Sequence, residues 1–156
     1  MNGEQKDMKK KISIVCICLT LVFSTVGLTI AMDNNILYVD DDGTTEFMTI
    51  QAAVDAALDG DTIYVYPGTY YGSINITKSI TLSGEDKSST IIDGQQIGED
   101  TITVTAPDVH ISGFTIQNSP RGCGYNSGLK MENADNGAIE DIVFTDNCWA
   151  AEIRSS

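Results

Sequence analysis

From Asp61 to Asn118, apolar residues fall at alternate positions in short runs. The pairs are Ile63 and Val65, Ile74 and Ile76, Ile80 and Leu82, Ile102 and Val104, Val109 and Ile111, and Phe114 and Ile116, with Ile91 and Ile92 adjacent. Period-two alternation in runs rich in β-branched residues, broken by Gly, Asp, Asn and Ser, predicts strands. None of these runs is long enough for a helix. Upstream, Ile36-Leu37-Tyr38-Val39 reads as a first strand, and Asp40-Asp41-Asp42-Gly43 as the turn that ends it. The aspartates lack the alternating spacing and terminal Glu of a calcium-binding loop, so a solvated turn is expected.

A different period occupies 49–58. Thr49 is placed to cap a helix whose apolar face is Ile50, Ala53, Val54, Ala57 and Leu58, with Gly60 as its stop. This is the one helix expected between residues 32 and 156.

The strands repeat. Ile111, Phe114 and Ile116 align with Ile139, Ile142 and Phe144 at a constant offset of 28, and Ile102 and Val104 align with Leu129 and Met131 at 27. Going backwards, Ile92 aligns with Ile116 at an offset of 24, and Val65 with Ile92 at 27. A unit of three short strands cannot bury its own apolar face and must stack on copies of itself. The expected fold is therefore all-β: a right-handed parallel β-helix of about three coils over 61–156. A strand and capping helix at 32–60 close its apolar end. The coil next to Ser156 would present an unpaired edge, so self-association through that end is expected.

YVDDDG, TIQAAVDAALDGDTIYVYPGTYYGSINITKSITLSGED, TIIDG and VHISGFTIQNS occur in this order. They resemble right-handed β-helix proteins of the pectin-lyase-like superfamily, nearest its NosD-like, surface-protein branch. The resemblance runs from about Leu37 to the C-terminus. It implies the fold; it does not carry an activity, because one fold hosts many functions.

Lys9-Lys10-Lys11 precede an uncharged stretch from Ile12 to Ala31. A basic segment followed by an apolar run is an export signal, and Thr29-Ile30-Ala31 offers a cleavage site before Met32. A cleaved signal over 1–31 is favoured over a retained membrane anchor, although the run is long enough to span a bilayer. A secreted or cell-surface location follows. Residues 1–31 hold Glu4, Asp7 and four lysines. Without them 20 acidic and five basic residues remain, a formal charge of −15. That excludes nucleic acid and anionic lipid as partners, since both require basic footprints.

Cys16 and Cys18 lie in the leader. Cys123 and Cys148 follow equivalent strands and come near each other on adjacent coils. Either a disulfide or two independent half-buried thiols fits that placement.

The expected chemistry is sparse. Asp93 and Asp146 are assigned to one strand column with Gln117 between them, two strand spacings or roughly 10 Å apart. That is too wide for a tight carboxylate dyad but wide enough for a calcium ion. Tyr70 and Tyr71, after the Pro67-Gly68 turn, could stack on sugar rings or pack under the turn. Asn75-Ile76-Thr77 is a glycosylation sequon on a strand, with Asn75 outward. Asn118 and its counterparts at the bends are expected to form hydrogen-bonded ladders. His110, the one histidine, alternates with Val109 and Ile111 and should face solvent.

No catalytic set is assigned, and calcium is the one cofactor the column could take. The favoured function is a carbohydrate-associated or structural surface β-helix, with a polysaccharide or envelope glycan as partner. A second reading is the N-terminal part of a pectate lyase-, polygalacturonase- or pectinesterase-like enzyme. A third is an accessory role in periplasmic copper-site maturation, as in NosD proteins. The lack of Met, His and Cys clustering after residue 31 counts against it.

Overall fold

The computed structural model describes residues 34–121 and 126–154; the leader at 1–31 and Cys123 lie outside these. β1 (Ile36–Val39) leads through the acidic turn to helix α1 (Ile50–Ala56). The coils follow: β2 (Thr62–Val65), β3 (Gly68–Tyr71) and β4 (Ile74–Ile76), then β5 (Thr81–Gly84), β6 (Thr90–Asp93) and β7 (Ile102–Val104). β8 (His110–Gln117) and β9 (Ser127–Glu132) make the next coil, and β10 (Ala138–Thr145) and β11 (Trp149–Arg154) the last. Every pairing between these strands is parallel and joins one coil to the next. The chain is thus a parallel β-helix of about four turns, one more than the periodicity suggests.

Inward residues stack in columns. Ile63, Leu82, Ile111 and Ile139 form one, Tyr70, Ile92, Ile116 and Phe144 a second, and Ile76, Val104, Met131 and Ile153 a third. Most are fully buried, each contributing on the order of 1.5–3 kcal/mol. Burial fades in the last coil, where Ile139, Ile142 and Phe144 are half-buried and Ile153 is exposed.

Three of the four offsets in the sequence are the true register, pairing Ile139 with Ile111, Leu129 with Ile102 and Ile116 with Ile92. The match of Val65 to Ile92 is not. Val65 faces Gly84 and Ile92 faces Tyr70, because β2 and β3 are separated only by Tyr66-Pro67, whereas a longer turn separates β5 from β6.

Two devices bend and close the stack. β8 serves two faces: its first half pairs with β5 and its second with β6. The bend is at Gly113, with φ +79°, directly against Gly84. A Cβ on Gly113 would lie 2.2 Å from the Gly84 carbonyl oxygen, and one on Gly84 would lie 2.3 Å from that of Gly113. Only glycine fits this close approach of backbones.

Helix α1 covers the first coil with Ile50, Ala53, Val54 and Ala57. The Thr49 hydroxyl accepts from the Ala52 N–H at 3.3 Å. The helix ends sooner than the pattern predicts, and Leu58 is exposed, not buried. Its N–H is drawn to Asp61 Oδ2 at 2.8 Å, and the Lys78 ammonium donates to the Val54, Asp55 and Ala57 carbonyls at 3.1, 2.8 and 2.7 Å. A cation at a helix C-terminus both satisfies orphan carbonyls and opposes the helix dipole.

Ile111 is buried and His110 exposed on the same strand. Ile111→Asp is expected to destabilise by about 4 kcal/mol or more, since it puts an unpaired charge in an apolar column. His110→Ala should change stability by less than about 0.5 kcal/mol. Equal effects in denaturant titrations would refute the facing. Gly113→Ala should prevent a cooperative melt altogether.

Candidate functional site

The strand register carries three of the five expected site residues to one outward row. Tyr71 on β3 pairs with Asp93 on β6, which pairs with Gln117 on β8. The next residue in the row is Thr145, not Asp146. Asp146 is one position further on, in the turn, with φ 53°. The expected carboxylate column therefore holds one acid, because the alternation ends at Thr145 and the chain turns there.

Asp93 is fully engaged. Its Oδ2 accepts from Gln117 Nε2 at 2.8 Å and Asn118 Nδ2 at 2.9 Å, and its Oδ1 accepts from the Gln95 N–H at 2.8 Å. Partial burial alone would raise its pKa; the three donors outweigh that and hold the carboxyl below its ordinary range. Gln95 and Gln96 both have positive φ, so Asp93 holds a strained turn in place. Asp146 instead has Arg121 at 3.9 Å, an exposed pair of little energetic weight.

Amides build the corner between coils. Asn147 donates to the Ile116 carbonyl at 2.8 Å and accepts from the Ser119 N–H at 2.9 Å, while the Cys148 N–H bonds the Ser119 hydroxyl at 2.8 Å. Asn118 and Asp146 occupy the same bend with left-handed φ. The Asn147 amide and the Ser119 hydroxyl satisfy backbone that the strand ladders leave open. Cys148 is an exposed free thiol; its proposed partner Cys123 lies outside the described residues.

Tyr70 and Tyr71 separate. Tyr70 is an inward residue, 5% exposed, and its hydroxyl donates to the carbonyls of Tyr66 at 2.9 Å and Val39 at 3.4 Å. Its ring offers no face to a sugar, which corrects that expectation. Burial first, and then the charge of Asp41, push its pKa up to about 12. Tyr71 is 66% exposed and borders a cleft of about 330 Å³ with Asp41, Met48, Gln51 and Ser73. Asn75 faces solvent between buried Ile74 and Ile76, and its backbone is bridged to the helix by the Gln51 amide. His110 is exposed on β8.

Two surfaces escape the sequence reading. Tyr38, Tyr64 and Tyr66 cluster outside β1 and β2. Tyr38 and Tyr66 are stacked with centroids 6.1 Å apart, and Tyr64 meets Tyr66 edge-on at 5.3 Å. The signal lies in the alternation: wherever Leu37, Val39, Ile63 and Val65 point in, the tyrosines beside them point out. Outside β9 and β11 lies a set of interleaved charges. Lys130 is 2.8 Å from Glu132 and 3.9 Å from Asp100, and Arg154 is 2.7 Å from Glu152. Glu132 raises the Lys130 pKa, and Lys130 lowers that of Glu132. The carboxylates there are compensated in pairs.

Asp93→Ala should cost about 1–3 kcal/mol at neutral pH, since it leaves three donors without their acceptor. Because the folded-state pKa lies below the ordinary 3.8, this contribution is complete above that value and is lost as pH falls below it. Wild type and variant should therefore converge in acid. Tyr70→Phe should cost roughly 0.5–1.5 kcal/mol. The Tyr70 contribution is complete below the ordinary value of 10.0 and is lost as pH rises towards about 12. Urea midpoints of wild type and Tyr70→Phe between pH 8 and 12 check this; parallel curves would refute it.

Comparison with known proteins fits this geometry. No protein-family model matches the chain. It is 38% identical over 89 residues to a cell surface glycoprotein of Methanothermus fervidus, a match over 56% of this chain and 14% of that protein. The chain thus corresponds to a small part of that relative. Among solved structures it resembles a carrot pectin methylesterase, with TM-score 0.58 and 21% identity over 68% of this chain and 38% of that one. It also resembles pectin methylesterase PemA of Erwinia chrysanthemi, with TM-score 0.61 and 19% identity over 76% and 45% of the two chains. A third is a pectin methylesterase in complex with a hexasaccharide, with TM-score 0.62 and 19% identity over 75% and 45%. The chain shares the parallel β-helix fold of these enzymes.

Proposed function

We propose that the chain forms part of an exported cell-surface protein whose β-helix associates with glycan and does not turn it over. The observation that carries this reading is the state of Asp93. It is the one acid on the row that gathers Tyr71 and Gln117, and all its donors are structural. A general acid or base needs a proton to move at a reacting oxygen. Asp93 instead fixes a turn, and Asp146 sits off the row. The surface-glycoprotein relative and the basic-then-apolar segment over 9–31 support export. Exposed Asn75, in its sequon, is a further candidate for carrying sugar.

The second reading is an enzyme, suggested by the fold shared with the pectin methylesterases, and activity measurements separate the two. The purified chain is expected to release no methanol, unsaturated product or new reducing ends from methylated pectin or polygalacturonate. Release that Asp93→Asn or Asp146→Asn abolishes would place the enzyme reading first.

Retention by immobilised polysaccharide in affinity electrophoresis is the expected outcome for glycan association, and its absence both with and without calcium would count against it. Expression with the native leader should put the protein outside the cytoplasm or in the membrane fraction. A soluble cytoplasmic protein that retains Met1 would overturn export.

A further inference from the structure

The outward positions of β1, β2, β5, β8 and β10 line up in two rows across the strands. One row is Tyr38, Tyr64, Ser83, Ser112 and Glu140. The other is Ile36, Thr62, Thr81, His110 and Ala138. At roughly 4.8 Å per strand step, the five positions span about 19 Å along the solenoid axis. The rows change character along their length. At the N-terminal end three of the chain's six tyrosines converge, with Tyr66 packed beside Tyr38 and Tyr64. Beyond them the side chains become small and hydroxylated. A groove of about 290 Å³ opens there, lined by Thr81, His110, Ser112, Ala138 and Glu140.

Each part has a chemical consequence. Tyrosine rings give flat apolar faces with a hydrogen-bonding rim, which suits the C–H face and hydroxyls of a pyranose. Tyr38 is 43% exposed, so its ring is accessible. The Tyr64 hydroxyl donates to Glu85 Oε2 at 3.3 Å, which fixes one ring edge and places a carboxylate beside it. The serine and threonine hydroxyls along the floor both donate and accept, and Glu140 and His110 add polar groups at the far end. Neither row contains a Lys or Arg, while Glu85 stands beside the middle of the first row, just after β5, and Glu140 at its far end. A polyuronate would meet Glu85 and Glu140, and the one ammonium beside the far end, that of Lys87, is already held by Asp141, in a chain whose formal charge is −13. A neutral glycan would find acceptors for its hydroxyls and no repulsion.

We propose that this face is a binding groove for a neutral pyranose chain laid along the solenoid axis. Its sugars stack on Tyr38, Tyr64 and Tyr66, and its next residues lie over Ser83 and Ser112 towards Glu140. The assignment rests on the glycan-associated reading and gives it a place and a ligand class. It sets the groove on a different face from the row of Tyr71, Asp93 and Gln117.

The test is titration calorimetry on the purified full chain with three probes: cellohexaose, N-acetylated chitohexaose and hexagalacturonate. Wild type should bind one or both neutral hexamers and not the uronate. Tyr38→Ala and Glu85→Ala alter exposed or half-exposed groups outside the core, and each should weaken binding roughly tenfold. Tyr71→Ala, on the other face, should leave it unchanged, with circular dichroism and melting confirming that every variant folds. Saturation-transfer NMR should place the sugar protons against tyrosine rings that disappear in Tyr38→Ala. Binding that survives Tyr38→Ala and Glu85→Ala but is lost in Tyr71→Ala would overturn the groove and leave the glycan reading standing. Tighter binding of hexagalacturonate would overturn the ligand class. Failure to bind any of the three, with no retention on immobilised polysaccharides, would remove both.

Discussion

Each coil of this protein buries its inward side chains only because the next coil's backbone lies one strand spacing away and in parallel register. No coil has a core of its own. Ile63 is covered because Leu82 stacks on it, Leu82 because Ile111 does, and the register is held by backbone hydrogen bonds between successive strands. That demand is most severe at Gly84 and Gly113, where the two backbones approach too closely for any Cβ. The same demand accounts for the capping helix and Lys78, which close the first coil where no preceding coil can.

Stacking divides the side chains into two groups with different freedoms. Inward positions are confined to apolar residues of suitable volume, and even Tyr70 is accepted only with its hydroxyl bonded to two carbonyls. Corner positions must satisfy backbone groups that leave the ladder, and this is where Asp93 and Asn147 act, with Asn118 bracing the Asp93 carboxylate. Outward strand positions remain free to vary. Recognition on such a scaffold is therefore expected on outward rows, where residues distant in sequence stand one strand step apart. A carboxylate at a corner is a poor guide to chemistry, because the corner itself needs it.

Much of this is legible in the sequence. Alternation at Ile111, Phe114 and Ile116, repeated at Ile139, Ile142 and Phe144, is enough to give the fold and the pairing of β8 with β10. The early coils are less legible because their turns differ in length, so spacing matches Val65 to Ile92 when its neighbour is Gly84. Leu58 fits a helical face but is exposed, since Asp61 draws its N–H out of the helix. Asp146 falls one residue off its row because a strand's last residue cannot be told from a turn's first by periodicity. Tyr70 and Tyr71 look alike in sequence, and only the pleat decides that one is core and the other surface. The tyrosine cluster is recoverable in principle. It needs the outward residues of β1 and β2 to be read as attentively as the inward ones.

The fold shared with pectin methylesterases fixes how side chains are displayed and leaves open what they recognise. Charge narrows that choice. Polygalacturonate recognition would call for free cations in reach of the bound chain, but the lysines and arginines that the described surface displays are largely committed to carboxylates and carbonyls of the protein. Lys78 caps the helix, Lys87 pairs with Asp141, and Lys130 and Arg154 pair with the glutamates beside them. What remains available on the first sheet is aromatic, hydroxylic and acidic. Such a surface gains from stacking and from hydroxyl donors, and it loses when a like-charged polymer approaches. A parallel β-helix can thus keep the display geometry of the pectin methylesterase fold while its outward rows carry a different set of side chains. In the proposed groove that set is the row of Tyr38, Tyr64, Ser83, Ser112 and Glu140, where stacking faces and hydroxyls outnumber charges and the one charged member is an acid.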